Sequence, residues 1–208
     1  METVVLRGGD VSYAAQLICS GALVAVPTET VYGLSADGLS ADAVAKIYAL
    51  KGRPAERPIS LLVSGMEQTE LLCRDIPGSA YKLAQAFWAG PLTMILKKKP
   101  CVPDIVTAGG DTVGVRCPDH PMTLELLRLC GRPLATPSAN PFSKPSPKSA
   151  EDVLGYFDGR IPCVIDGGRC GVGVESTIVD LTGEMPRILR QGGLPREDIE
   201  NALGMEVL

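Results

Sequence analysis

The 208-residue sequence predicts an α/β fold on a mixed, twisted sheet, and three observations carry that reading. Apolar runs of strand length alternate with stretches of helical period, which favours helices packed against a sheet. Two strand-like runs near the end, Thr177–Asp180 and Arg187–Arg190, follow one another closely as a hairpin would, which argues against a purely parallel sheet. No internal repeat and no inter-domain linker interrupts the chain, so residues 1–208 read as one domain.

The elements follow in chain order. Val4–Leu6 is a strand, and a helix from about Asp10 to Ser20 ends at Gly21. Leu23–Val26 is a strand stopped by Pro27, since proline cannot extend the ladder. Ser40 caps a helix over Ala41–Leu50 whose Val44, Ile47 and Tyr48 share one face, which puts Lys51 on the loop just beyond it. Ile59–Val63 is a strand; Met66–Leu72 and Ser79–Phe87 are helices; Leu92–Lys97 is a strand running into a long Pro/Gly loop. Val113–Cys117 is a strand carrying Arg116, and a helix over Pro121–Leu129 precedes a short strand, Leu134–Thr136. After the proline-rich loop 137–147, Ser149 with Glu151 and Asp152 opens a helix to Phe157. A strand near Val164–Asp166, the glycine-rich stretch 167–173, the closing hairpin and a helix near Pro195–Ala202 complete the chain.

Composition narrows the chemistry. With 45% apolar and 21% charged residues, the chain folds rather than staying disordered. Its net charge of −4 gives no global field toward nucleic acid or anionic lipid. Lys97-Lys98-Lys99, the densest cationic run, reads as a solvated strand edge. Met1-Glu2-Thr3-Val4 lacks the basic region and long apolar core of a signal peptide, and no stretch approaches the roughly 18 apolar residues of a membrane span, so a cytoplasmic location is expected. Seven scattered cysteines without a C-x-x-C pair read as packing residues, and the single histidine, His120, as a helix-start residue. Zinc chemistry and a Ser-His nucleophile are both disfavoured.

What remains is an anion pocket. Strand ends carrying Thr30, Arg116, Ser138 and Ser176 would gather hydroxyls and a guanidinium around one crevice, with Lys51, Arg53 and Arg57 supplying charge. That combination stabilises the non-bridging oxygens in phosphoryl or nucleotidyl transfer and needs no histidine base. Taken singly, Thr28 and Thr30 also read as turn residues, and Lys51-Gly52-Arg53 as a helix C-terminus. Arg116 is harder to dismiss, because an arginine within the strand Val113-Gly114-Val115-Arg116 demands an anionic partner. The glycines at 167, 168, 171 and 173 match neither a P-loop nor a dinucleotide fingerprint.

Pro27 to Leu34, Lys51-Gly52-Arg53-Pro54, Pro91-Leu92-Thr93, Asp111 to Arg116, Pro137 to Asn140, Val174-Glu175-Ser176-Thr177 and Leu189-Arg190 stand in the order and approximate spacing of the YrdC-type threonylcarbamoyl-AMP synthase family, which the chain resembles over nearly its full length. The resemblance implies a single YrdC-like domain: a twisted, mostly mixed or antiparallel open sheet flanked by helices. It also implies condensation of L-threonine, bicarbonate and ATP to threonylcarbamoyl-AMP and pyrophosphate, the first half of making N6-threonylcarbamoyladenosine in tRNA. Lys51 and Arg53 would face the triphosphate as the catalytic cations. Ser138, Asn140, Arg190, Thr112, Ser146 and Arg57 would complete the ATP site, while Arg116 would pair with the threonine carboxylate and Thr30, Thr136 and Ser176 would hold the rest of that amino acid. Mg²⁺ is expected with ATP, its protein ligands unknown; Glu29, the nearest acid in the motifs, reads as a structural hydrogen-bonding residue. The mixed anhydride passes to downstream threonylcarbamoyl-transferase proteins, and loops 51–58 and 143–147 are the candidates to close over it.

Two departures qualify the resemblance. Leu62 stands where some relatives have a histidine near the threonine, and the chain ends soon after Arg190 without the further C-terminal domain of longer members. Two other readings remain: a module presenting a concave basic surface to double-stranded RNA or tRNA, and a carbamoyl-transfer domain that uses carbamoyl phosphate. The net charge weighs against the first, and the free-standing length against the second.

Overall fold

The computed structural model describes residues 2–208; Met1, counted in the reading of the N-terminus, lies outside the described residues. The chain runs β1 (Val4–Leu6), α1 (Ser12–Cys19), β2 (Val24–Val26), β3 (Gly33–Asp37), α2 (Ala41–Lys51), β4 (Leu61–Leu62), α3 (Met66–Leu72), β5 (Cys73–Arg74), α4 (Gly78–Phe87), β6 (Leu92–Lys98) and α5 (Asp104–Thr107). It continues through β7 (Thr112–Arg116), α6 (Pro121–Cys130), β8 (Leu134–Ala135), α7 (Ala150–Phe157), β9 (Cys163–Ile165), β10 (Thr177–Asp180), β11 (Arg187–Arg190) and α8 (Arg196–Leu203).

All strands join one sheet in the order β1-β9-β2-β3-β8-β4-β7-β6-β10-β11, with β5 pairing β6 off that path. Parallel ladders (β1 with β9, β9 with β2, β4 with β7, β6 with β10) are interspersed among antiparallel ones, the mixed sheet that the sequence predicts. Local chemistry sets the helix ends: Ser40 and Ser149 accept the amides of Ala43 and Asp152 three residues on, and Gly52, Gly131 and Gly204 close α2, α6 and α8 in the left-handed conformation.

Strand β3 departs from the sequence reading, which has no element there. Gly33-Leu34-Ser35-Ala36-Asp37 carries little strand propensity, yet all five residues are buried. Its polar side chains are matched instead: Ser35 shares a hydrogen bond with Thr136, and Asp37 accepts from Arg132 at 2.5 Å. The short elements β5 and α5 also lack a sequence signal. A further correction concerns Lys51, which is the last residue of α2 rather than part of the following loop; the left-handed turn that stops the helix is at Gly52.

Two apolar layers sandwich the sheet unequally. One face is packed by α2, α3, α4, α5, α7 and α8 around Tyr32, Leu61, Met94, Leu96, Val115, Val179 and Phe157. The other is packed by α1 and α6, whose Ile18, Leu126 and Leu127 meet Val24, Val26, Leu62, Leu134 and Ile165. That second cover reaches only the β9-β2-β8 region and the end of β4. Beyond it, Thr93 and Ile95 of β6, Gly114 of β7 and Ile178 of β10 present the same face without a helix over them, as strand alternation requires once Leu92, Met94, Val113, Val115 and Val179 are committed to the first layer.

Gly38 sits where β3, β4 and β8 converge: a Cβ there would lie 2.6 Å from Leu61 Cδ2 and 2.9 Å from the Pro133 carbonyl. Gly38→Ala is therefore expected to destabilise the chain by about 1–3 kcal/mol through overpacking, read from its urea denaturation midpoint.

Candidate functional site

Where the second helical cover stops, the bare face of the sheet forms the floor of a crevice holding about 180 Å³. Ser60, Thr93, Ile178 and the guanidinium of Arg116 line it, closed at one end by the Thr28–Gly33 loop and the Thr136–Ser138 segment. Small residues let these walls approach. A Cβ on Gly33 would lie 2.3 Å from Thr136 Cγ2, and one on Gly114 would lie 2.7 Å from Ser60 Oγ.

Arg116 ends β7 almost fully buried, and the anionic partner that its position demands is Glu29, whose Oε1 accepts from Nη2 at 2.6 Å. Nε donates to the Gly90 carbonyl, so the guanidinium is held from two sides. Burial lowers its pKa, as does nearby Arg190, and Glu29 raises it; an arginine starts high enough to keep its charge. Glu29 Oε2 accepts the Asp119 amide at 3.0 Å, which gives this carboxylate the structural role expected for it. Hydroxyls surround the pair. Thr28 Oγ1 accepts the amides of Thr30 and Val31 as a turn residue does, Thr30 Oγ1 bonds Thr28, and Ser176 Oγ bonds Thr93 Oγ1 at 2.7 Å.

At the open end Arg190 donates through Nε and Nη2 to the Ser176 carbonyl and through Nη1 to Glu175 Oε2 at 2.5 Å. Its direction depends on a β-bulge. Ile178 pairs Arg190 and Val179 pairs Ile188, so Leu189 is an extra residue between them. Strict alternation would send Arg190 to the side of Ile188, which packs against the first apolar layer; the bulge turns it into the crevice. Arg53 lines the same end while its Nε and Nη2 hold the carbonyls of Arg57 and Pro58.

The structure thus brings Thr30, Arg53, Arg116, Thr136, Ser138, Ser176 and Arg190 together. Lys51 and Asn140 lie behind the wall. The Lys51 ammonium donates to the carbonyls of Ser138 and Asn140, and Asn140 Nδ2 donates to those of Pro141 and Lys144 while its buried Oδ1 has no partner. Ser146 reaches the site through Glu175 Oε1, at 3.0 Å. The Arg57 side chain is exposed, does not line the crevice and makes no hydrogen bond among the described residues. Thr112, at the other end of β7 from Arg116, does not line the crevice. Ser60, Thr93 and Glu175 are polar lining residues to which the sequence assigns no role; a charged residue beside Ser176 in a strand-entry loop is the available signal for the last.

Elsewhere the basic run is a strand edge in which Lys97 faces Asp75, Lys98 bonds Asp104 and Lys99 bonds the Glu70 carbonyl. Cys73, Cys117, Cys130 and Cys163 are buried packing residues as expected, whereas Cys19 and Cys101 are exposed. His120 occupies the N-cap of α6. Among the described residues no three His, Cys, Asp or Glu side chains converge as a metal-holding group, and Glu29 and Glu175 both already accept from arginines, so the donor set does not form a resident metal cage.

Burial and the charge of Arg53 push Lys51 down to about 7, against the pull of Glu175. Between about 7 and the ordinary 10.5 the unfolded chain binds a proton that the folded chain does not, so this residue makes stability rise with pH across that window. The wild-type chain should accordingly gain stability relative to Lys51→Met as pH is raised from 7 to 10, by up to about 1.4 kcal/mol per pH unit in urea titrations. Parallel curves for the two proteins would show the shift to be absent.

Residues 16–192 match the model of the Sua5_yciO_yrdC family, described as "Telomere recombination". A curated threonylcarbamoyl-AMP synthase of Pyrococcus abyssi is 51% identical over 92% of this chain, and a putative threonylcarbamoyl-AMP synthase of Mycobacterium tuberculosis is 38% identical over 96%. The chain covers 56% of the Pyrococcus protein and 92% of the mycobacterial one, so it spans little more than half the length of the former. The crystal structure of Pyrococcus abyssi Sua5 complexed with L-threonine superposes with a TM-score of 0.94 at 48% identity, covering 100% of this chain and 62% of that one.

Proposed function

The chain belongs to the Sua5/YciO/YrdC family, and from that premise we propose that it condenses L-threonine, bicarbonate and ATP into threonylcarbamoyl-AMP and pyrophosphate. The observation that carries the reading is the division of one crevice into two cationic ends. Arg116 lies buried at the closed end, while Arg190 and Arg53, only partly buried, stand toward solvent, and Thr30, Thr136, Ser138 and Ser176 line the space with them. The closed end suits an amino acid whose carboxylate takes the unpaired Nη1 of Arg116, which makes no hydrogen bond to the chain among the described residues. The relative solved with L-threonine supports that substrate class. Leu62 gives this wall an apolar side chain.

The chemistry then needs positioning and charge. The threonine ammonium loses one proton to the hydroxide that bicarbonate releases as it gives carbon dioxide, and a second to water as the nitrogen forms an N–C bond to that carbon dioxide, giving a carbamate. A carbamate oxygen attacks the α-phosphorus as the P–O bond to the β-phosphate breaks, and pyrophosphate leaves with the electron pair. Arg190 and Arg53 neutralise the anions brought together. Lys51 acts from behind the wall by fixing the carbonyls of Ser138 and Asn140, which shapes the segment that faces the phosphates. Mg²⁺ enters as part of the ATP substrate, held by its phosphates. The product serves threonylcarbamoyl-transferase proteins that act on tRNA, in the cytoplasm. No helix among the described residues is long and apolar enough to cross a membrane.

Pyrophosphate release from ATP, with threonine and bicarbonate omitted in turn, tests the reading. Release that requires both is the expected outcome; release independent of threonine would sink it, and a requirement for carbamoyl phosphate would transfer the chain to the carbamoyl-transfer reading. Double-stranded RNA binding without any turnover would mark an RNA module instead. Arg116→Ala is expected to weaken threonine binding roughly 10- to 100-fold by calorimetry, the loss of a charge-assisted hydrogen bond. Unchanged threonine affinity would remove the carboxylate assignment.

A further inference from the structure

The carboxylates paired with two of the crevice arginines, Glu29 behind Arg116 and Glu175 on the lining beside Arg190, are held in opposite ways. Glu29 is largely buried and tied to a backbone amide as well as to Arg116, so it has nowhere to go. Glu175 accepts from side chains alone, Ser146 Oγ at 3.0 Å and Arg190 Nη1 at 2.5 Å, and is 40% exposed. Its main chain, by contrast, is pinned: its carbonyl accepts the Gly193 amide at 2.9 Å, and a Cβ on Gly192 would lie 2.2 Å from that oxygen. The side chain can therefore swing while the backbone stays.

Arg190 does not need Glu175 to keep its direction, because Nε and Nη2 are both anchored on the Ser176 carbonyl. Ser146 Oγ makes no other hydrogen bond among the described residues. The field of Glu175 also reaches Lys51 and Arg53, where it opposes the burial that lowers the pKa of each. One carboxylate thus sits among a hydroxyl and several cations, in the arrangement that suits phosphate oxygens.

We propose that Glu175 is a place-holding anion: it occupies the phosphate position offered by Ser146 and Arg190, and gives way when a polyphosphate enters. This deepens the reading of the open end as a nucleotide site and rests on it. A polyphosphate and a carboxylate cannot share these donors without like-charge repulsion, so entry costs the displacement of Glu175. Ligands that carry several negative charges meet that cost, whereas nucleosides and monophosphates are disfavoured, which gives the site a charge threshold. The exchange also passes the tether of the proline-rich loop from Glu175 to the ligand through Ser146.

Calorimetric titration of the full chain with inorganic tripolyphosphate tests this. Glu175→Gln and Glu175→Ala are expected to bind it about tenfold more tightly than wild type, the effect of removing one like charge at contact distance in a half-solvated setting. The gain should vanish when Arg190→Ala is combined with Glu175→Gln, and L-threonine affinity of Glu175→Gln should match wild type. Equal or weaker tripolyphosphate binding by the Glu175 variants overturns the inference, as does a lack of binding by every protein. If Glu175→Ala does not fold, Glu175→Gln, which keeps the shape and one acceptor, decides. Failure of threonine-dependent pyrophosphate release would remove the synthase reading while leaving this titration to stand by itself.

Discussion

The site depends on an uneven cover. Six helices pack one face of the sheet, and only α1 and α6 pack the other, leaving β6, β7 and β10 bare on that side. Strand alternation then forces every second residue of those strands outward, so a chain that filled them with large apolar groups would expose a sticky surface. Here Thr93 and Gly114 take such positions, with Ile95 and Ile178 the partly exposed exceptions. Small and hydroxylated residues keep the floor low, and the edge of the α1–α6 layer supplies the wall that makes it a crevice rather than a flat face.

Placing cations in that crevice carries a desolvation cost that the fold offsets unequally. At the closed end the cost is highest, and Arg116 has a buried carboxylate and the Gly90 carbonyl as fixed partners. Lys51, equally buried, receives backbone carbonyls instead of a carboxylate, which leaves its charge less well compensated and its pKa depressed. Toward the mouth, solvent shares the task, and the ion pair of Arg190 with Glu175 is correspondingly weak and exchangeable. Rigidity at one end and exchange at the other follow from the same gradient of burial.

How far the sequence could be read follows from that physics. Arg116 stood out because an arginine in an apolar strand has few explanations, and the mixed sheet was legible because its core strands are apolar by alternation. Strand β3 was invisible, since Gly33, Ser35 and Asp37 are strand residues only by virtue of Thr136 and Arg132 across the ladder. Lys51 falls one residue inside the helix whose end the sequence predicts at Leu50, because sequence signals are least sharp at helix ends. Its role as a brace needed the Ser138 and Asn140 carbonyls, which come from a segment nearly ninety residues away. The part played by Glu175 is a property of neighbours rather than of a motif.

Leu189 adds a different kind of dependence. More than half exposed and outside the crevice lining, it contributes to the site by existing rather than by what it is. It acts as a spacer that sets the phase of the strand, so its side chain is free to vary while its presence is not. Length, not chemistry, is what the register of this hairpin requires of the position.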